Sequence, residues 1–222
     1  MLRFTPEPAD AGALCYKQKR RNDLSIREEK SKDFPFIRSL TEQAFLNVPE
    51  SDHTEHLLVE RLRQSEAYIP ELSLVAETNT GKIVGHILLS KVGIVSEKGT
   101  TTVLSVAPLS VLPEFQRQGI GGMLLREAHR RAALLGYKAV LLLGHKDYYP
   151  RFGYRRASSY GIRFPFNAPD ECCMAVELEP DGLKDVHGWY VIPTLSSNSL
   201  ISSCTSLVTT ISRSRYADRE LP

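Results

Sequence analysis

The apolar positions along this chain change period several times, and each change marks an element. LSIREE, beginning at Leu24, alternates and predicts a short strand. In DFPFIRSLTEQAF, Asp33 stands as an N-cap, Pro35 sits in the first turn, and Phe36, Ile37, Leu40 and Ala44 repeat at helical steps. HTEHLLVERLRQ predicts a second helix through Leu57, Leu58 and Leu62, after a polar loop over residues 47–52. ELSLVAET and KIVGHILLSKVGI are β-type runs joined by NTGK, whose Asn79 and Gly81 suit a tight hairpin. TTVLSVAPLSVL predicts a further strand interrupted at Pro108. A proline removes a ladder donor, so a bulge or a sheet edge is expected there.

The clearest helix begins at Ile120. Ile120, Met123, Leu124, Ala128, Ala132 and Leu135 recur every three or four residues, and Gly136 supplies a C-terminal stop. KAVLLLG then runs apolar without alternation, as a strand does when both its faces are covered. Strand, turn, helix and strand in this order form a crossover unit whose turn opens at one end of a sheet. GIRFPF and CCMAVEL predict two more strands. Residues 1–23 are polar, with Pro6 and Pro8, and read as a flexible N-terminal extension; residues 194–222 form a Ser/Thr-rich tail, expected to lack fixed structure.

Composition narrows the picture only in part. The 222 residues suit one domain with a tail. With 28 basic and 26 acidic side chains the net charge is +2, too balanced for a protein that coats nucleic acid or an anionic membrane, so any anion site must be local. KQKRR at residues 17–21 reads as a solvated arm. No apolar run approaches the roughly 20 residues of a membrane span. Cys15, Cys172, Cys173 and Cys204 lack metal-ligand spacing, which predicts free thiols, a reducing compartment and a cytoplasmic location.

One stretch carries chemistry on its own. In LPEFQRQGIGGMLL, Gly119, Gly121 and Gly122 open the long helix, although glycine inside a helix costs about 1 kcal/mol relative to alanine. The first amides of a helix have no internal partners and carry the positive end of its dipole, and glycine lets a ligand approach them closely. Gln116, Arg117 and Gln118 add side-chain donors just upstream, so the stretch reads as a pyrophosphate cradle. A Walker loop would need Lys and Ser or Thr where Met123 and Leu124 stand, and a dinucleotide fingerprint would need a third glycine at position 124.

The spacing Gln116-x-x-Gly119-x-Gly121, after a proline-broken strand and before an amphipathic helix, resembles the acetyl-CoA signature of the GCN5-related N-acetyltransferases (GNAT). DYYPRFGY resembles that family's second signature, with Tyr149 four residues before the pair Gly153 and Tyr154. VGHILLSKV, APLSVLPEFQRQGIGGMLL and LLLGHKDYYPRFGYRRA are similar to the YhbS-like subgroup, over residues 24–193; His145 departs from that subgroup's usual acidic residue. The resemblance implies an α/β fold: a mixed, largely antiparallel central sheet flanked by helices, with a β-α-β acetyl-CoA-binding core.

The activity implied is transfer of acetyl from acetyl-CoA, the co-substrate, to a primary amine of a small molecule or peptide, by direct attack in a ternary complex and without a metal. The broken strand would offer Leu109 and Val111 to the pantetheine arm. Gln116, Arg117, Gln118, Gly119, Ile120, Gly121 and Gly122 would hold the pyrophosphate, the Leu109 backbone N–H would receive the oxyanion, and Tyr149 would assist the leaving thiolate. The implied partners are acetyl-CoA and the amine, with no nucleic acid or membrane, and a homodimer as an allowed assembly. A non-catalytic CoA-binding sensor or protein-interaction module on the same fold is the alternative.

Other residues divide more evenly. Because an amine of pKa about 10.4 arrives protonated, a base is needed. His86, Glu42 and Glu55 are unranked candidates, though His86 in an apolar run also reads as core. Tyr148, Phe152 and Tyr154 read as packing. His53, Glu55 and His56 read as a polar helix start rather than a metal cluster. His129, Arg130 and Arg131 read as a solvated outer face, with the 3′-phosphate of CoA as a further contact.

Overall fold

The computed structural model describes residues 24–49, 51–165 and 168–192; the expected extension over 1–23 and tail over 194–222 lie outside these, as do Cys15 and Cys204. The expected hairpins build the sheet's first half. Strands β1 (Leu24–Glu28), β2 (Ser73–Thr78), β3 (Ile83–Ser96) and β4 (Gly99–Val111) pair antiparallel in chain order. Gly81, at φ 83°, closes the β2–β3 turn by donating to the Thr78 carbonyl. Strand β5 (Ala139–Leu143) joins β4 in parallel and is followed in the sheet by β8 (Cys173–Glu177) and β6 (Arg155–Arg156). Strand β9 (Gly188–Val191) pairs with the second half of β3, and β7 (Ile162–Arg163) pairs with β9. The result is a mixed, mostly antiparallel sheet.

Among the described residues three α-helices cover it: α1 (Phe34–Phe45), α2 (Glu55–Arg63) and α3 (Ile120–Leu134), the last connecting β4 to β5. The full burial expected of KAVLLLG is visible as a division of β5 between two cores. Val140 and Leu142 pack with Ile37, Leu40, Leu58 and Leu124, whereas Ala139 and Leu141 pack with Ile94, Ile162 and Leu183. Alternate side chains of one strand thus feed opposite faces of the sheet.

Several expectations need correction. Phe36 is 63 % exposed, and Leu135, past the end of α3, is 46 % exposed; α1 buries Ile37 and Leu40 as expected and Thr41 in addition, and α3 also buries Leu125. Val59 rather than Leu57 faces the core on α2. Asp33 precedes α1 but does not cap it, because its carboxylate accepts from Arg27 and from the Lys30 amide. GIRFPF supplies only the two residues of β7, and neither β6 nor the four-residue β9 is signalled by periodicity, which needs longer runs.

The close seat of α3 on the sheet depends on Gly85 in β3. A Cβ there would lie 2.9 Å from Leu124 Cδ1 and 3.1 Å from Ile120 Cγ2. Gly85→Val is therefore expected to lower stability by about 1–3 kcal/mol through overpacking, read from the urea midpoint. Leu134→Ser, at a position 74 % exposed, is expected to change it by less than about 0.5 kcal/mol.

Candidate active site

The site begins where two strands part. β4 and β5 pair only through Leu104 with Val140 and Ser105 with Leu141. Beyond Ser105, β4 carries a bulge at Ala107 and Pro108: Ile87 faces Leu109 while Leu89 faces Val106, so three steps on β4 match two on β3. The Leu112 amide donates to the Val84 carbonyl. Antiparallel ladders alternate hydrogen-bonded and non-bonded pairs, so Leu109 and Val111 point their backbone groups away from β3, toward the edge that β5 has left.

The second part is the start of α3. Arg117 at φ 59° and Gly119 at φ 87° are both left-handed, and such turns curl successive amides around a concavity. Gly119 stands at the N-cap and offers no side chain, so α3 begins without a side-chain cap. The Met123 amide returns to the Gly119 carbonyl, leaving those of Ile120, Gly121 and Gly122 without intrahelical acceptors. Gln116 Nε2 donates to the Val111 carbonyl at 3.1 Å and Gln118 Nε2 to the Glu114 carbonyl at 3.0 Å, bracing the loop from within.

The third part answers what lies against the glycines. The turn Tyr149–Phe152 follows β5 and brings its aromatic neighbours onto bare backbone. A Cβ on Gly121 would meet the Tyr148 hydroxyl at 2.8 Å, and one on Gly122 would meet the Phe152 ring at 3.0 Å. A Cβ on Gly144 would overlap the Tyr149 ring. Tyr149 in turn meets Tyr148 and Tyr154 edge-on at 5.1 and 5.6 Å between centroids. Burial raises its phenol well above the ordinary tyrosine value, and its hydroxyl has no hydrogen-bond partner among the described residues.

These parts enclose a cavity of about 1540 Å³. Leu109, Val111, Gln116, Arg117, Gln118, Gly119, Ile120, Gly121, Gly122 and Tyr149 all line it. The three base candidates separate. His86 is fully buried away from the cavity, where Nε2 lies 3.1 Å from Ser73 Oγ and 3.2 Å from a Glu29 carboxylate that also accepts from Arg63 and Tyr68. Glu42 is exposed and pairs with Arg38 and, at 3.4 Å, with His56. Glu55 alone of the three lines the cavity. It is 2 % exposed and accepts a hydrogen bond from Ser51, and burial raises its carboxyl above the usual range.

The outer-face reading of His129 needs correction, because its Nε2 lies 2.9 Å from the Tyr154 hydroxyl. Arg131 pairs with Glu127 and Glu28, and Arg130 with Glu127; Arg126, not anticipated, is the α3 arginine that lines the cavity. The available signal was spacing, since Arg126 follows Gly122 by one helical turn and its Nη1 donates to the Gly122 carbonyl. Among the described residues no three His, Cys, Asp or Glu side chains are grouped to hold a metal, and no helix is long and apolar enough to cross a membrane.

Comparison with known proteins gives the family and the fold. Residues 70–156 match the family model described as an acetyltransferase (GNAT) domain. The chain is 38 % identical over 136 residues to the N-acetyltransferase YjhQ of Escherichia coli, covering 61 % of this chain and 72 % of YjhQ. It is 31 % identical over 165 residues to the N-acetyltransferase YhbS of the same organism, covering 74 % and 93 %. The crystal structure of YhbS in complex with CoA superposes with a TM-score of 0.68 at 27 % identity, over 76 % of this chain and 88 % of that one. A GNAT family acetyltransferase from Brucella melitensis, crystallised with acetyl-CoA, gives 0.63 at 32 % identity, over 77 % and 96 %.

The packing behind Tyr149 has a pH signature. Burial lowers His129 to about 4, against about 6.5 for an unperturbed histidine. The folded pKa lies below the unfolded one, so this contribution to stability is complete above about pH 6.5 and is lost as pH falls toward about 4. His86, lowered chiefly by burial, acts in the same sense. His129→Gln is expected to flatten the fall in thermal midpoint between pH 7 and 4.5; a slope equal to the parent's would contradict this.

Proposed function

This chain belongs to the GNAT family of N-acetyltransferases, and we propose that it transfers the acetyl group of acetyl-CoA to a primary amine by direct attack in a ternary complex. One observation carries the reading: the unpaired edge at Leu109 and Val111 and the uncapped amides of Ile120, Gly121 and Gly122 line one continuous cavity. At about 1540 Å³ it exceeds the roughly 300–1,000 Å³ of a typical small-molecule site, which leaves room for a second reactant.

In this reading the pyrophosphate lies on the helix-start amides, with Arg117 and Arg126 supplying positive charge. The pantetheine arm adds to the free edge of β4 as an extended segment, using the outward N–H of Val111, whose carbonyl is already taken by Gln116. The thioester carbonyl then falls to the outward N–H of Leu109, which stabilises the oxygen as it becomes negative. The neutral amine attacks the carbonyl carbon, a C–N bond forms, and the C–S bond breaks as the tetrahedral intermediate collapses. Tyr149, kept in its phenol form by burial, donates to the departing thiolate. CoA then leaves as the free thiol.

Two variants separate binding from turnover. Gly121→Asp would place a carboxylate against the Tyr148 hydroxyl and the helix-start amides, and is expected to abolish acetyl-CoA binding measured by titration calorimetry. Tyr149→Phe is expected to leave that binding near the parent's while lowering kcat for thiol release by about 10²-fold or more. Turnover equal to the parent's would remove Tyr149 from its role. Tight binding without release of thiol to any amine would favour a CoA-binding sensor or interaction module.

A further inference from the structure

We propose that the acceptor is a primary amine carried on an apolar body, and that Glu55 receives its ammonium group and takes its proton. This rests on the acetyl-transfer reading above and goes beyond it in naming the substrate class and the base.

Two other buried carboxylates of this protein are each held by an arginine. Glu29, whose side chain is 1 % exposed, is held by Arg63 through two hydrogen bonds of 2.7 and 2.9 Å. Asp33, 3 % exposed, is held by Arg27 at 2.6 Å. Glu55 is as deeply buried, yet among the described residues no lysine, arginine or histidine lies within ion-pair distance of it, and His53 acts on it only from further off. A buried carboxylate without a cation is costly. Here it also lines the cavity, so a cation can reach it from there. The other two carboxylates on the wall differ: Glu171 has Lys146 at 3.9 Å, and Asp147 has the His145 ring at 3.9 Å.

The groups around Glu55 hold it ready rather than neutralise it. Ser51 Oγ accepts the His53 amide at 2.8 Å and donates its own proton to Glu55, which fixes the carboxylate at the start of α2. Its raised pKa, caused by burial, makes it a stronger base than an exposed glutamate. Apolar side chains also line the cavity, among them Phe45, Val48, Leu58, Phe164, Tyr190 and Ile192. Phe164 and Tyr190 stack at 4.6 Å and 10°, and the Tyr190 hydroxyl donates to Ser105 at 3.1 Å, so this pair is fixed in place. A polar body such as a sugar would lose its water against these surfaces without replacement partners.

The proton balance is complete. The ammonium gives one proton to the Glu55 carboxylate, and the resulting amine attacks the thioester carbonyl carbon. As the C–S bond breaks, Tyr149 protonates the thiolate to give CoA, and the second proton lost from nitrogen restores the Tyr149 phenol; Glu55 returns the first proton to solvent.

The test uses the full chain with acetyl-CoA and three acceptors: 2-phenylethylamine, the tripeptide Phe-Gly-Gly and glucosamine. Acetyl-CoA binding is measured first, because its absence would overturn the acetyl-transfer reading itself. Given binding, kcat/KM for 2-phenylethylamine or for Phe-Gly-Gly is expected to exceed that for glucosamine by about tenfold or more; the better of the two tells a free amine from a peptide terminus. Glu55→Gln is expected to keep acetyl-CoA affinity, to weaken calorimetric binding of the preferred amine to the CoA complex, and to lower kcat/KM by about 10²–10⁴-fold. Glucosamine equal or preferred, no acetylation of either aromatic amine, or a Glu55→Gln enzyme as active as the parent would each overturn the inference while leaving acetyl-CoA binding intact. The parent's acceptor preference stands as evidence should Glu55→Gln fail to fold.

Discussion

Three aromatic side chains seated where three glycines lack a Cβ join the two halves of this site. Tyr149 lies on Gly144 at the end of β5, while Tyr148 and Phe152 lie on Gly121 and Gly122 at the start of α3. The end of one strand and the beginning of the helix that precedes it are thereby clamped across a gap. The gap exists because β4 and β5 stop pairing after Ser105 and Leu141 and the bulge at Ala107 and Pro108 redirects β4. If the turn Tyr149–Phe152 sat elsewhere, the cavity would lose a wall and Tyr149 would lose its place in it.

The same packing sets the electrostatics. The amides of Ile120, Gly121 and Gly122 meet no side-chain cap, and Arg117 and Arg126 stand beside them, so one end of the cavity is built for an anion. Glu55 stands at a separate stretch of wall, at the start of α2, buried and with no cation within ion-pair distance among the described residues. An anionic carrier and a cationic acceptor meeting in one cleft would each find the complementary charge. Arg130 and Arg131, by contrast, are engaged with Glu127 and Glu28 at the surface.

How far the sequence reached depended on whether a signal was local. The glycines before α3, the proline in β4 and the unbroken apolar run of β5 each report on neighbouring backbone, and the elements they predicted are present. Residues 116–122 and Tyr149 were singled out by two short motifs that also resemble a family, and the fold brings them to one cavity. What escaped was set by distant contacts. The aromatic seats on Gly121, Gly122 and Gly144 join segments more than twenty residues apart or across a turn, which periodicity does not see. His129 is paired inward by Tyr154, twenty-five positions away. Glu55 could not be told from Glu42 or His86 until the fold buried one at the cavity, left one exposed and enclosed the third beside Glu29.

The central claim is that backbone amides, on the open edge of β4 and at the start of α3, are the principal binding surface. Residue-resolved amide hydrogen exchange with and without acetyl-CoA tests it most directly. The account predicts that Leu109, Val111, Ile120, Gly121 and Gly122 exchange markedly more slowly in the complex, while the exposed turn at Gly81 is unchanged. Acetyl-CoA bound at saturation with those five amides exchanging as fast as in the free protein would contradict it.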